Sequence, residues 1–189
     1  MRKLIWILVC AAALSAPLAA SAKIKVAASI TDLASIAASV GGDQVECFAI
    51  AKASADAHPG GVVPSYMVKV AKANVYLKGG LGLDQWADAI IDGSRNDKLA
   101  VVDCSANINV LEKPTGQVDA SMGDVHPNGN PHYWLDPRNG AVIARTIAEA
   151  LGRVDPAHAA DYQARAQEFA KQCDAAWEGE RKIADGILN

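Results

Sequence analysis

The chain has 189 residues, 51% of them hydrophobic and 5% aromatic, and a formal net charge of −3. That length supports one domain with a real core. A mildly acidic balance without a basic cluster argues against nucleic acid as a partner and is compatible with a cation as ligand.

Residues 1–22 read as a secretory leader and not as part of the fold. Arg2 and Lys3 make a basic start, Leu4 to Leu14 is apolar, and Ala20-Ser21-Ala22 is a small-residue cleavage site. The apolar stretch is too short for a membrane span. The mature chain is therefore expected to begin at Lys23, soluble and without stable membrane insertion. It keeps three cysteines, Cys47, Cys104 and Cys173. An odd number in an oxidising compartment leaves at least one unpaired, and the three read as small buried hydrophobes.

Strand and helix signals then alternate. Ile24 to Ala28 is a short apolar strand, and Thr31 or Asp32 caps a helix with Leu33, Ile36, Ala37 and Val40 on one face, ended by Gly41-Gly42. Val45 to Ile50 is a second strand. Ser65 caps a helix with Met67, Val70 and Ala71 on one face, and Asn74 to Lys78 is a third strand. Asp84 caps the next helix, Gly93 stops it, and Leu99 to Asp103 is a fourth strand. Cys47 falls in the second strand and Cys104 at the end of the fourth, strands that are not expected to be neighbours, so no disulfide is expected between them. The order predicts an α/β fold, a parallel four-stranded sheet flanked by helices. Ligands in such sheets bind beyond the carboxyl ends of the strands.

Cys104 to Asn130 carries no sustained periodicity, the mark of a functional or mobile loop. Asp136 N-caps a helix with Pro137 at its first position, running to about Leu151. Asp155-Pro156 opens a last helix whose apolar positions, Ala159, Tyr162, Ala166, Phe169, Cys173 and Trp177, keep helical spacing to near Ile183. About thirty residues would span roughly 45 Å, and such a helix needs a partner along its whole length.

Two histidines stand in short Pro-stiffened segments that follow strands and precede helices. His58 lies in Asp56-Ala57-His58, followed by Pro64-Ser65-Tyr66. His132 lies in Gly129-Asn130-Pro131-His132-Tyr133-Trp134-Leu135-Asp136-Pro137. Neutral imidazole is the commonest protein ligand of zinc and suits other first-row metals. Two imidazoles fill half of the four positions that zinc usually takes. His126 and His158 read as solvated, and Trp86, Trp134 and Trp177 as core or helix-interface residues. Gly79-Gly80-Leu81-Gly82-Leu83-Asp84 is a rival, nucleotide-type motif, but Gln85 stands where the third fingerprint glycine should be. No Gly-x-Ser-x-Gly elbow occurs, and no histidine has a nucleophile partner by spacing. The chain does not read as an enzyme.

These residues resemble the metal-specific solute-binding proteins of ABC transporters, the zinc and manganese receptors that include adhesin-like members. The family's first ligand motif is Asp-Pro-His with Pro-Ser six and seven positions on. His58, Pro64 and Ser65 match it, and Ala57 replaces its proline. Its second, Asn-Pro-His-x-Trp-Leu-Asp-Pro, is matched by Asn130 to Pro137 without a gap. The resemblance implies metal ligation by His58 and His132, with zinc first and manganese as the alternative. It implies a monomer in the periplasm that hands the ion to an inner-membrane ABC permease. It also implies a division into residues 1–22 as signal peptide, 23–153 as the N-terminal metal-binding lobe and 154–189 as the helix that connects two lobes, the second being absent from this sequence. The alternatives are a metal-storing or adhesin-like surface protein and an exported zinc-dependent enzyme.

Overall fold

The computed structural model describes residues 22–51, 64–116, 118 and 126–188. Residues 1–21 of the leader and His58 lie outside them. Among the described residues no helix is long and apolar enough to cross a membrane.

Four parallel strands form one sheet in the order β2-β1-β3-β4: β1 Ile24–Ala28, β2 Val45–Ala49, β3 Val75–Lys78 and β4 Ala100–Asp103. The runs are short and mostly apolar, as strands buried on both faces must be. Alternation along them divides the core in two. Val26, Ala28, Val75, Leu77 and Val102 face α1 (Thr31–Gly41), α4 (Pro137–Val154) and the first half of α5 (Ala159–Leu188). Ala27 and Tyr76 face α2 (Pro64–Val70) and α3 (Trp86–Ser94), against Val70, Ala87 and Ile90. The expected architecture, with a long terminal helix, is therefore present.

Several helix boundaries differ from the sequence reading. Ile30, not Thr31 or Asp32, is the N-cap residue of α1, and no side chain caps it; the Thr31 hydroxyl donates instead to Asp32. α2 begins at Pro64, so Ser65 lies inside its first turn, and it ends at Val70, which leaves Ala71 exposed beyond it. α3 starts two residues after Asp84 and runs past Gly93 to Ser94, where Arg95 takes the left-handed closing position with a φ of +51°. The cap of α4 is as expected, Asp136 accepting from the Arg138 N–H at 2.9 Å with Pro137 first in the helix, but the helix continues to Val154. A 3-10 turn over Pro156–His158 precedes α5.

α5 buries side chains against α4 and α1 only as far as Cys173. Tyr162, Ala166 and Cys173 are buried, Phe169 is half-buried, and beyond Cys173 every described side chain is exposed except half-buried Trp177. α4 comes close enough that a side chain on Gly140 would press on the Cys173 sulfur. Cys47 and Cys104 stand at opposite edges of the sheet, and all three described cysteines are free thiols. Burial pushes each of them up, Cys47 to about 11.

Candidate metal centre

The chain order reverses between β1 and β3: β2 lies to one side of β1, and β3 and β4 lie to the other. The carboxyl edge at such a switch point is where open α/β sheets place ligands. Here Ser29 follows β1 and Gly79 follows β3, joined by the Ser29 N–H donating to Leu77 O at 2.9 Å. The ladder between β1 and β2 extends to Ala51, whose N–H donates to Ser29 O at 2.9 Å. From Ala51 the chain enters the segment that carries His58.

The Gly79–Asp84 segment closes this edge. Gly80, Leu81 and Gly82 have φ of +73°, +53° and +89°, three left-handed residues in a row. Such a conformation costs a non-glycine residue roughly 1–2 kcal/mol, so Leu81 needs support from its surroundings. Asp84 supplies it. Its carboxylate is 1% exposed and accepts from the N–H of Gly79 at 2.6 Å, the N–H of Gly80 at 3.1 Å and the hydroxyl of Ser29. Asp84 is therefore the anchor of the loop and not the helix cap expected from sequence. The nucleotide reading fails here on physical grounds. The amides of Gly79 and Gly80, which would cradle a phosphate, already hold the protein's own anion.

His132 reaches this edge through Tyr133. The Tyr133 hydroxyl donates to Gly79 O at 2.7 Å, and burial pushes its pKa far up, which keeps it a donor. Asn130 orients the imidazole itself. Its Oδ1 accepts the backbone N–H of His132 at 2.9 Å, which identifies that atom as oxygen, and lies 3.1 Å from His132 Nδ1. An amide oxygen only accepts, so a neutral ring held here carries its proton on Nδ1 and its lone pair on Nε2. Hydrogen bonding of the ring's other nitrogen is the usual way a metal-ligating histidine is fixed. Asn130 is fixed in turn: its N–H donates to Leu111 O at 2.9 Å and its side-chain amide donates to Glu112 Oε2 at 2.9 Å. Gly129 enters this turn at a φ of +94°, where a side chain would strike Val110 and the Leu111 carbonyl.

His126 differs from its solvated reading. It is half-buried, and its ring centroid lies 5.8 Å from that of His132. Trp134 stands 5.4 Å from the His132 ring while packing on the core. His158 also differs: its Nδ1 is 2.6 Å from Asp155 Oδ2, which the Tyr162 hydroxyl meets at 2.8 Å. It lies at the far end of α4 from His132, a helix of 18 residues or roughly 27 Å. Among the described residues no group of three or more His, Cys, Asp or Glu side chains gathers around one point.

Beside His132 is a cavity of about 390 Å³, lined in part by Asn130, Leu135, Asp136, Trp177 and Glu180. Two of these lining residues, Asp136 and Trp177, are bridged by the Arg138 guanidinium. It pairs with Asp136 at 2.8 Å and lies 3.8 Å from the Trp177 ring centroid.

The family model described as zinc-uptake complex component A, periplasmic (ZnuA), matches residues 26–187. Among curated proteins, the iron-binding protein YfeA of Yersinia pestis is 30% identical over 153 residues, 81% of this chain and 46% of its own. The manganese ABC transporter substrate-binding lipoprotein PsaA of Streptococcus pneumoniae is 26% identical over 160 residues, 80% of this chain and 48% of its own. The solved structure of a zinc-bound ZnuA deletion mutant, 25% identical, aligns with a TM-score of 0.70 over 81% of this chain and 55% of that one. Zn(II)-bound AdcA from Streptococcus pneumoniae, 14% identical, shares the fold with a TM-score of 0.69 over 83% of this chain and 32% of that one. The chain spans about half the length of YfeA and PsaA.

Proposed function

The chain belongs to the family of the periplasmic zinc-uptake complex component A, and on that footing we propose that it captures a divalent metal ion outside the cytoplasm and presents it to an inner-membrane ABC permease. Zinc is the first cargo and manganese the second. In this reading His58 and His132 are ligands, residues 1–22 are a removed leader, 23–153 the metal-binding lobe and 154–189 the connecting helix. It is a receptor, not an enzyme.

The observation that carries the proposal is the clamp of Asn130 on His132, which prepares Nε2 as a neutral ligand. No proton need leave such an imidazole on binding. Protons compete with the metal for it, so affinity falls as pH drops. Competition against a chromophoric chelator at neutral pH tests the reading. His132→Ala weakens zinc binding at least about tenfold, or about 1.4 kcal/mol, whereas His158→Ala leaves it unchanged. An unaltered dissociation constant for His132→Ala removes the basis of the proposal.

A further inference from the structure

We propose that Asp84 is a positioning residue for the His132 turn, acting through Gly79 and Tyr133; this rests on the reading of His132 as a ligand. The relay has three links. The buried Asp84 carboxylate holds the N–H groups of Gly79 and Gly80. The Gly79 carbonyl, in the loop so fixed, accepts the Tyr133 hydroxyl at 2.7 Å. Tyr133 is the covalent neighbour of His132 and is itself buried.

The carboxylate also binds the Ser29 hydroxyl, at the end of β1 and 55 residues away in sequence. One side chain thus ties together the two strand ends that flank the switch point. The glycine-rich motif acquires a purpose in this way. Gly80 leaves room where a side chain would collide with Asp103 and Ser105, and the left-handed run brings the amides of residues 79 and 80 round onto Asp84. Asn130 sets the rotation and tautomer of the imidazole. Asp84 sets the height of the whole turn above the sheet edge.

A double-mutant cycle in metal affinity tests this. The variants are Asp84→Asn, which turns an amide donor toward a backbone donor, Tyr133→Phe, which removes the hydroxyl and keeps every bond to Asp84, and the pair together. The whole chain is titrated with zinc in chelator competition, and with cobalt(II) for its visible d–d bands. Each single change is expected to weaken zinc binding about three- to tenfold, less than the 10–100-fold typical of a group bonded directly to a ligand. The double variant is expected to be no weaker than the worse single one, because both cut the same relay. The cobalt bands shift alike in all three. Ile90→Val, a core change on the opposite face of the sheet, moves neither readout. Effects of Asp84→Asn and Tyr133→Phe that multiply overturn the relay, as does an Asp84→Asn protein that folds and binds as wild type. Where Asp84→Asn does not fold, unchanged affinity and cobalt bands in Tyr133→Phe overturn it alone. Failure of the ligand reading is separate: it appears as unaltered affinity in His132→Ala.

Discussion

Replacing Asn130 by alanine deletes two of the contacts that hold His132, one to its backbone and one to its ring. It also releases Glu112. The imidazole can then turn and exchange tautomers before a metal arrives. Zinc affinity in Asn130→Ala is expected to fall about 10–100-fold, with little change in melting temperature because the Glu112 contact is exposed. Calorimetric titration and a thermal scan on the same sample separate the two effects, and equal affinity for variant and wild type would refute the clamp. The motif around His132 was legible in sequence because its parts are local: Asn130, Pro131 and Asp136 act within two or three residues. Asp84 was not legible. An acidic residue ahead of a helix reads as a cap, and nothing local reveals that its carboxylate turns back to Gly79 and across to Ser29. His158 was misread for a related reason. Its partner Asp155 was credited to the helix start, whereas the carboxylate faces His158 and Tyr162.

At the scale of elements, the sheet and its flanking helices follow from short apolar runs and helical spacing. The edges moved wherever a cap was assigned from residue type alone, as at Thr31, Ser65 and Asp84. α5 shows both sides of this. Its spacing named Tyr162, Ala166 and Cys173 as the packed face, and they are. Spacing could not say that packing stops at Cys173, because Trp177 continues the pattern. What holds Trp177 is Arg138, a cation over its ring, fixed by Asp136. An exposed cation–π contact contributes about 0.5–1 kcal/mol, enough to matter for a helix end with no core beneath it. Arg138→Ala is therefore expected to speed amide exchange in residues 174–188 several-fold and to shift Trp177 emission to the red, while protection in α4 beyond its first turn holds. Unchanged exchange beyond Cys173 would show that the stack does not secure the helix.

For the molecule as a whole, two carboxylates set the acid limit. Hydrogen bonding to the Arg138 side chain, against some desolvation and with help from its N–H and charge, holds Asp136 below the usual carboxylate range. Burial would raise Asp155, but hydrogen bonds from Tyr162 and His158 and the charge of His158 outweigh it. A carboxyl that is low in the fold and ordinary in the unfolded chain stabilises the fold above about pH 4, and this contribution is lost as pH falls through the folded value. Melting temperature is thus expected to decline from about pH 4 downward, and Asp155→Asn to lower it at neutral pH and flatten the decline. A decline equally steep in Asp155→Asn would assign the acid sensitivity elsewhere.

The three thiols, two buried and Cys47 half-buried, carry a consequence for how this protein ages. Only a thiolate attacks a disulfide or is readily oxidised, and burial keeps Cys47, Cys104 and Cys173 protonated at neutral pH. Native packing is therefore their protection in an oxidising medium, and it lapses all at once when the fold opens. Cys47 and Cys104, held at opposite edges of the sheet, can then meet in a bridge that the native sheet forbids. Each unfolding event without a reductant offers the chain a covalent exit from refolding, so in an oxidising medium its lifetime is governed by how often it opens rather than by its equilibrium stability.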